Sequence, residues 1–71
     1  MTRVLIADDE PNIVLTLSFM LKREGYEVLT VPDGTQALAA IRAERPALVL
    51  LDGAMPGMTG FEVCEAVRAD P

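Results

Sequence analysis

The 71-residue sequence predicts an α/β protein with one parallel sheet that is covered by helices on both faces. Two continuous apolar runs, residues 4–7 and Leu48–Leu51, each end abruptly at aspartate. Runs of this length are typical of strands that are buried on both faces, as in parallel sheets. Patterns with helical periodicity lie between and after these runs, so the element order is β-α-β-α-β-α. Right-handed crossovers then give a three-layer α/β/α architecture, for which we expect the strand order 2-1-3.

The first helix is predicted over residues 11–24. Pro11 suits a first helical turn, and Gly25 suits the left-handed conformation that ends many helices. The apolar residues of this segment recur at the spacing of a stripe that packs on a sheet. This stripe, which we expect to be buried, consists of Ile13, Leu17, Met20 and Leu21.

The second strand is predicted over residues 26–31, which are rich in β-forming residues but include polar ones, as in a half-exposed edge strand. The second helix is predicted over residues 35–45. Asp33 and Gln36 have the spacing of a capping box at its start, and Pro46 follows its end.

The third helix is predicted over residues 60–70. Thr59 and Glu62 form a capping-box pattern at its start, and Val63 is expected to face the core. Cys64 is predicted to be a small buried hydrophobic residue, because free cysteine is usually buried.

The composition excludes several classes of site. The chain has no histidine, which excludes a Ser-His-Asp triad and a His-rich zinc site, and its single cysteine cannot form an internal disulfide. The 6 basic and 11 acidic residues give a net charge of −5, which disfavours direct contact with nucleic acid. No apolar run approaches the roughly 20 residues that a membrane span needs, and we expect a cytoplasmic protein.

Three aspartates follow the two apolar strands. Asp8 and Asp9 come directly after the first strand, and Asp52 comes directly after the third. In a 2-1-3 sheet these strands are neighbours, so the three carboxylates converge at the edge where open α/β sheets bind ligands. Close like charges repel each other unless a cation joins them, and Mg²⁺ fits such an oxygen-ligand set best. Taken singly, the acids have an alternative explanation as helix N-terminal and turn residues.

Two blocks of sequence resemble the signatures of response regulator receiver domains of two-component signalling. They are residues 6–11, Ile-Ala-Asp-Asp-Glu-Pro, and residues 50–60, Leu-Leu-Asp-Gly-Ala-Met-Pro-Gly-Met-Thr-Gly. The resemblance covers the whole chain and implies a flavodoxin-like fold with strand order 2-1-3-4-5 in the full domain. The family commonly has aspartate where this chain has Thr59, which changes a helix cap but not the chemistry.

The resemblance also implies the role of each site residue. Asp52 would be the phosphoacceptor, and Asp9 would bind Mg²⁺ directly. Asp8 would bind Mg²⁺ mainly through water, and the backbone carbonyl of Ala54 would complete the protein ligands. A carboxylate can attack phosphorus and hold the phosphoryl group as an acyl phosphate, while the metal neutralises charge.

The phosphoryl donor implied by the resemblance is a phosphohistidine on a sensor histidine kinase or a phosphotransfer protein. Leu15 and Phe19 form an apolar pair opposite the expected buried stripe, and we interpret them as a docking surface for that partner. Scattered exposed apolar residues are the alternative explanation. The resemblance also implies an output domain outside this sequence, often a DNA-binding one.

The resemblance implies two further βα units after residue 71, with a Ser/Thr, a lysine and an aromatic switch residue. On this interpretation residues 1–71 are the N-terminal part of a receiver domain. The third strand, Leu48–Leu51, would then be an exposed apolar edge, and we expect self-association through it.

Two alternative functions remain open from the sequence. The chain could be an inactive or assembly-only pseudo-receiver, because the lysine and the Ser/Thr of the full domain are not among these residues. It could also be a phosphatase of the haloacid-dehalogenase type, which uses a strand-end aspartate and magnesium. That mechanism needs a second aspartate two positions after the nucleophile, where this chain has Ala54, so we expect a signalling domain and not an enzyme.

Overall fold

The computed structural model describes residues 2–52, 55 and 57–69. Within these residues three strands and three helices alternate, as the sequence predicts. They are β1 (Arg3–Ala7), α1 (Pro11–Arg23), β2 (Glu27–Val31), α2 (Gly34–Glu44), β3 (Leu48–Leu51) and α3 (Gly60–Ala69). Residue 70, which the predicted third helix includes, lies outside the described residues.

The strands form one parallel sheet in the predicted order β2-β1-β3. β1 is central because residues 4–7 are apolar on both faces, and all four are buried. Val4 pairs with Val28 on one side and with Leu48 on the other. Both outer strands are more exposed than β1, which confirms β2 as an edge strand and places β3 at the other edge of the described sheet.

The two faces of the sheet are covered to different extents. On one face Ala7 packs in a buried cluster with Ala37 of α2 and Val63 of α3. On the other face α1 lies over β1 and β2. Because side chains alternate along a strand, the odd-numbered residues of all three strands face α2 and α3, and the even-numbered ones face α1.

Side-chain caps fix the starts of α2 and α3 where the sequence predicts them. Asp33 Oδ1 accepts a hydrogen bond from the backbone N–H of Gln36 at 2.8 Å, and the Gln36 side-chain amide donates to Asp33 Oδ2 at 3.0 Å. The pair of Thr59 and Glu62 is a reciprocal capping box, with each side chain accepting the other residue's backbone N–H at 3.2 and 3.1 Å respectively. α1 ends before Gly25, whose φ of 92° only glycine adopts readily.

The prediction of a buried stripe on α1 is wrong for two of its four residues. Ile13 and Met20 are 45% and 57% exposed, whereas Leu17 and Leu21 are half-buried. Ile13 and Met20 lie to one side of the other two on the helical wheel, and the sheet covers only the inner side of the helix. The periodicity therefore locates the apolar side of α1 but overestimates how much of it is covered.

The predicted burial of Cys64 is also wrong, because this residue is exposed. α3 turns Val63 into the core, and the next residue points about 100° away from it around the helix. Within the part of the chain that the structure describes, no helix has the length and apolar character needed to cross a membrane.

Candidate metal centre

The site lies at the carboxyl edge of the sheet, where β1 and β3 end side by side. The backbone N–H of Asp8 donates to the carbonyl of Val31 at 3.2 Å, and the backbone N–H of Asp52 donates to the carbonyl of Ala7 at 2.9 Å. These bonds attach each acidic segment to the neighbouring strand. The sheet therefore fixes the backbone from which the acidic side chains project.

The structure brings the three predicted aspartates together. Asp8, Asp9 and Asp52 each offer one carboxylate oxygen, and these oxygens lie within 4.8 Å of one another. In an octahedral Mg²⁺ site with bonds of about 2.1 Å, neighbouring ligand oxygens are about 3.0 Å apart and opposite ones about 4.2 Å. Small side-chain rotations would bring the three oxygens to these separations. The donor set is also the hard, anionic oxygen set that Mg²⁺ prefers, so the residues fit the ion.

Exposure differs among the three acids. Asp9 is exposed, whereas Asp8 and Asp52 are half-buried. Screening by water is therefore weakest between Asp8 and Asp52, and their mutual repulsion is the strongest reason for a cation at this edge.

Asp8 also has a local structural role. Its Oδ1 accepts the backbone N–H of Glu10 at 2.9 Å, which shapes the turn into α1. The carbonyl of Glu10 then accepts the first helical hydrogen bonds, from Ile13 and Val14, both at 3.1 Å. The alternative explanation of Asp8 as a turn residue is thus part of its role.

The structure does not test the predicted roles of Ala54, Leu15 and Phe19. Ala54 lies outside the described residues, so its carbonyl stays a predicted ligand. Leu15 and Phe19 are 70% and 62% exposed on α1, as the helical wheel predicts, and the guanidinium of Arg23 lies 5.8 Å from the centre of the Phe19 ring. Their docking role stays a prediction.

Sequence reasoning missed a groove of about 510 Å³ that begins at Asp8 and Asp9 and runs between α1 and β2. Its floor includes Ser18, a polar residue on a largely apolar flank of α1. That interruption is the only hint in the sequence, and a single serine does not distinguish a groove from an ordinary solvent-facing position.

Comparison with known proteins agrees with the fold. The family model for the response regulator receiver domain matches residues 4–71. The DNA-binding response regulator MtrA of Mycolicibacterium smegmatis is 47% identical over 68 residues, which are 96% of this chain and 30% of that protein. The chain therefore spans about a third of the length of the curated relatives that it matches first.

Two solved structures are similar to this chain in both fold and sequence. Response regulator TrrA of Thermotoga maritima in complex with Mg²⁺-BeF has a TM-score of 0.90 and 44% identity, and the match covers 96% of this chain and 59% of that chain. The complex of histidine kinase ThkA with TrrA gives a TM-score of 0.90 and 42% identity, over 100% of this chain and 61% of that chain.

Proposed function

The chain belongs to the response regulator receiver domain family, and from this premise we propose that it accepts a phosphoryl group on Asp52 in the presence of Mg²⁺. The metal would be held by Asp8, Asp9, Asp52 and the backbone carbonyl of Ala54. The observation that carries the proposal is the convergence of three carboxylate oxygens within 4.8 Å at the carboxyl edge of the sheet. The Mg²⁺-BeF complex of TrrA supports the same chemistry in a similar protein.

Asp52 acts as the nucleophile. One of its carboxylate oxygens attacks phosphorus, the P–N bond of a phosphohistidine breaks, and an acyl phosphate forms on Asp52. A metal ion held by these residues would supply charge neutralisation. The backbone bond from Asp52 to Ala7 restrains the main chain at the nucleophile, and Asp8 and Asp9 on the adjacent strand end restrain the metal.

A phosphohistidine donor would lie outside these 71 residues, because they include no histidine. We propose a sensor histidine kinase or a phosphotransfer protein, and the ThkA complex of TrrA supports this choice. Leu15 and Phe19 are the proposed docking residues, because they place two large apolar side chains in solvent on α1, the helix that begins beside the acidic site.

The chain would then act as a signalling acceptor and not as an enzyme with a free substrate. An output domain would receive the signal, and a DNA-binding one is the first candidate because MtrA is named a DNA-binding response regulator. With a net charge of −5, this chain would not itself contact nucleic acid. We assign the protein to the cytoplasm, where ATP charges histidine kinases.

Self-association through β3 is a further part of the proposal. Leu48 is 50% exposed, and β3 is an outer strand of the described sheet. Among the described residues no strand pairs with the outer edge of β3, and an apolar edge of this kind can bind the edge of a second copy.

The phosphoacceptor assignment is tested with acetyl phosphate and MgCl₂. The wild-type chain should gain the mass of one phosphoryl group in a hydroxylamine-labile form, and Asp52→Asn should gain none. Glu24→Gln, which removes a charge at the other end of α1, is the matched control and should be phosphorylated like the wild type. Phosphorylation of Asp52→Asn at the wild-type rate would exclude Asp52 as the acceptor.

A further inference from the structure

The groove between α1 and β2 has features of a binding site, most of which lie outside the proposed metal centre. We call it the α1–β2 groove. Its walls are apolar, with Val14 and Leu15 on α1 and Val28 on β2. Its volume of about 510 Å³ is that of a site for a drug-sized molecule or a short peptide segment.

The strand that forms one wall has a free backbone edge. The N–H of Glu27 donates to the carbonyl of Thr2 at 2.9 Å, and the carbonyl of Val31 accepts from Asp8, so both residues direct their backbone groups at β1. Backbone directions alternate along a strand, so Val28 and Thr30 direct their N–H and C=O groups away from β1. β2 is the outermost strand on this side of the sheet that the described residues form, and both residues line the groove. The groove therefore presents donors and acceptors at the spacing of a β-strand.

A buried hydroxyl in the same groove lacks a partner. Among the described residues, Ser18 Oγ is buried and makes no hydrogen bond. Ser18 also lines the groove, but its Oγ is closed off from solvent, so this hydroxyl is not a contact for an occupant.

The ends of the groove carry opposite charges. Asp8 and Asp9 lie at the carboxyl end of β2, beside Val31, and Lys22 lies towards its amino end, because α1 ends just before β2 begins. A strand that runs antiparallel to β2 places its first residue by the two aspartates and its last residue by Lys22. Charge complementarity then selects a basic first residue and an acidic last one.

We propose that the α1–β2 groove binds an extended segment of a partner protein, which adds to the sheet antiparallel to β2. The segment has a basic residue at its amino end, small β-branched residues in the middle and an acidic residue at its carboxyl end. Backbone bonds to Val28 and Thr30 supply affinity, and the charged ends supply direction. This site shares Asp8 and Asp9 with the proposed metal centre and Leu15 with the proposed docking surface, but it does not depend on phosphorylation of Asp52.

The probe is the blocked peptide acetyl-Lys-Val-Thr-Val-Glu-amide, titrated into ¹⁵N-labelled protein without Mg²⁺, because Asp8 and Asp9 are also the proposed metal ligands. The matched probe, acetyl-Glu-Val-Thr-Val-Lys-amide, has the same composition with its charged ends exchanged. We expect the amide signals of Val28 and Thr30 to shift with the first peptide. The second peptide should bind at least about fivefold more weakly, the scale of one or two lost surface ion pairs.

Two variants test the groove itself. Thr30→Pro removes an outward N–H without removing a bond to β1 and should abolish binding, whereas Thr30→Ala should bind normally. Lys22→Glu should bind acetyl-Lys-Val-Thr-Val-Lys-amide more tightly than the original peptide, because the last residue of the peptide lies by position 22. If Thr30→Pro does not fold, this change of preference tests the proposal instead.

Three outcomes would overturn the proposal. They are equal affinity for the two end-exchanged peptides, shifts confined to the β3 edge, and no shift with either peptide at millimolar concentration.

Discussion

The cluster of aspartates should make the folded chain less stable without Mg²⁺ than the same chain with one of the charges removed. Asp52→Asn deletes two repulsive pairs, Asp52 with Asp8 and Asp52 with Asp9, at separations of up to 4.8 Å. At that separation each pair costs about 1 kcal/mol in a water-like dielectric, and about 3.5 kcal/mol at an effective dielectric constant near 20. Because Asp9 is exposed and the other two are only half-buried, the lower value applies. Asp52→Asn should therefore raise the free energy of unfolding by about 1–2 kcal/mol in EDTA.

Mg²⁺ should reverse the order of the two proteins. An ion that binds only the folded state adds about 2.7 kcal/mol at 100 times its dissociation constant. The wild type should gain this amount with MgCl₂, and Asp52→Asn, which lacks one ligand charge, should gain much less. The two free energies should cross as Mg²⁺ is added.

The measurement is urea unfolding followed by circular dichroism, in EDTA and across a MgCl₂ series. KCl at matched ionic strength separates ion binding from screening, since salt alone also weakens the repulsion. Glu24→Gln is the charge-matched control and should respond to Mg²⁺ like the wild type. The reasoning is refuted if KCl stabilises the wild type as much as MgCl₂ does, or if Asp52→Asn is the less stable protein in EDTA.

Three other predictions concern packing and surfaces. Gly34→Ala should lower the free energy of unfolding by about 1–3 kcal/mol, because its Cβ would overlap the carbonyl oxygen of Met58 and lie 2.8 Å from the Met58 Cβ; a loss below about 0.5 kcal/mol in urea unfolding would contradict this packing. Leu15→Ser with Phe19→Ser should slow phosphoryl transfer from the cognate kinase about tenfold while leaving the rate with acetyl phosphate unchanged, and equal slowing in both assays would argue against docking. Leu48→Lys should shift the chain towards monomer in sedimentation velocity, because a charge on an edge strand disfavours pairing. A wild type that is already monomeric at tens of micromolar would contradict self-association through β3.

The sequence predicts the sheet and the acidic site for the same reason. Residues 4–7 are apolar without interruption, which favours burial on both faces, and β1 is the central strand. Because β1 and β3 are parallel neighbours, the residues that follow them, Asp8, Asp9 and Asp52, all lie at the carboxyl edge of the sheet. Sequence order alone then determines the convergence of these charges.

Other features depend on tertiary packing that no local pattern reports. The spacing of Ile13 and Met20 identifies an apolar side of α1, but the width of the surface that covers it depends on the neighbouring elements. The prediction for Cys64 follows the usual burial of free cysteine, but the orientation of α3 leaves this residue exposed. The α1–β2 groove forms where two elements separate, and Ser18 alone gives no measure of that separation.

The double pairing of β1 has a consequence for the order of folding. Val4 pairs with Val28, which is joined to it through one helix, and with Leu48, which is much farther along the chain. Closing the longer loop costs more entropy, so the β1–β2 unit should form first and β3 should add last. Asp8 and Asp9 belong to the early unit and Asp52 to the late one, so the complete metal site exists only after the last strand has paired. Mg²⁺ should accordingly slow unfolding while leaving the refolding rate nearly unchanged, which would make ion binding a kinetic reporter of the final step of assembly.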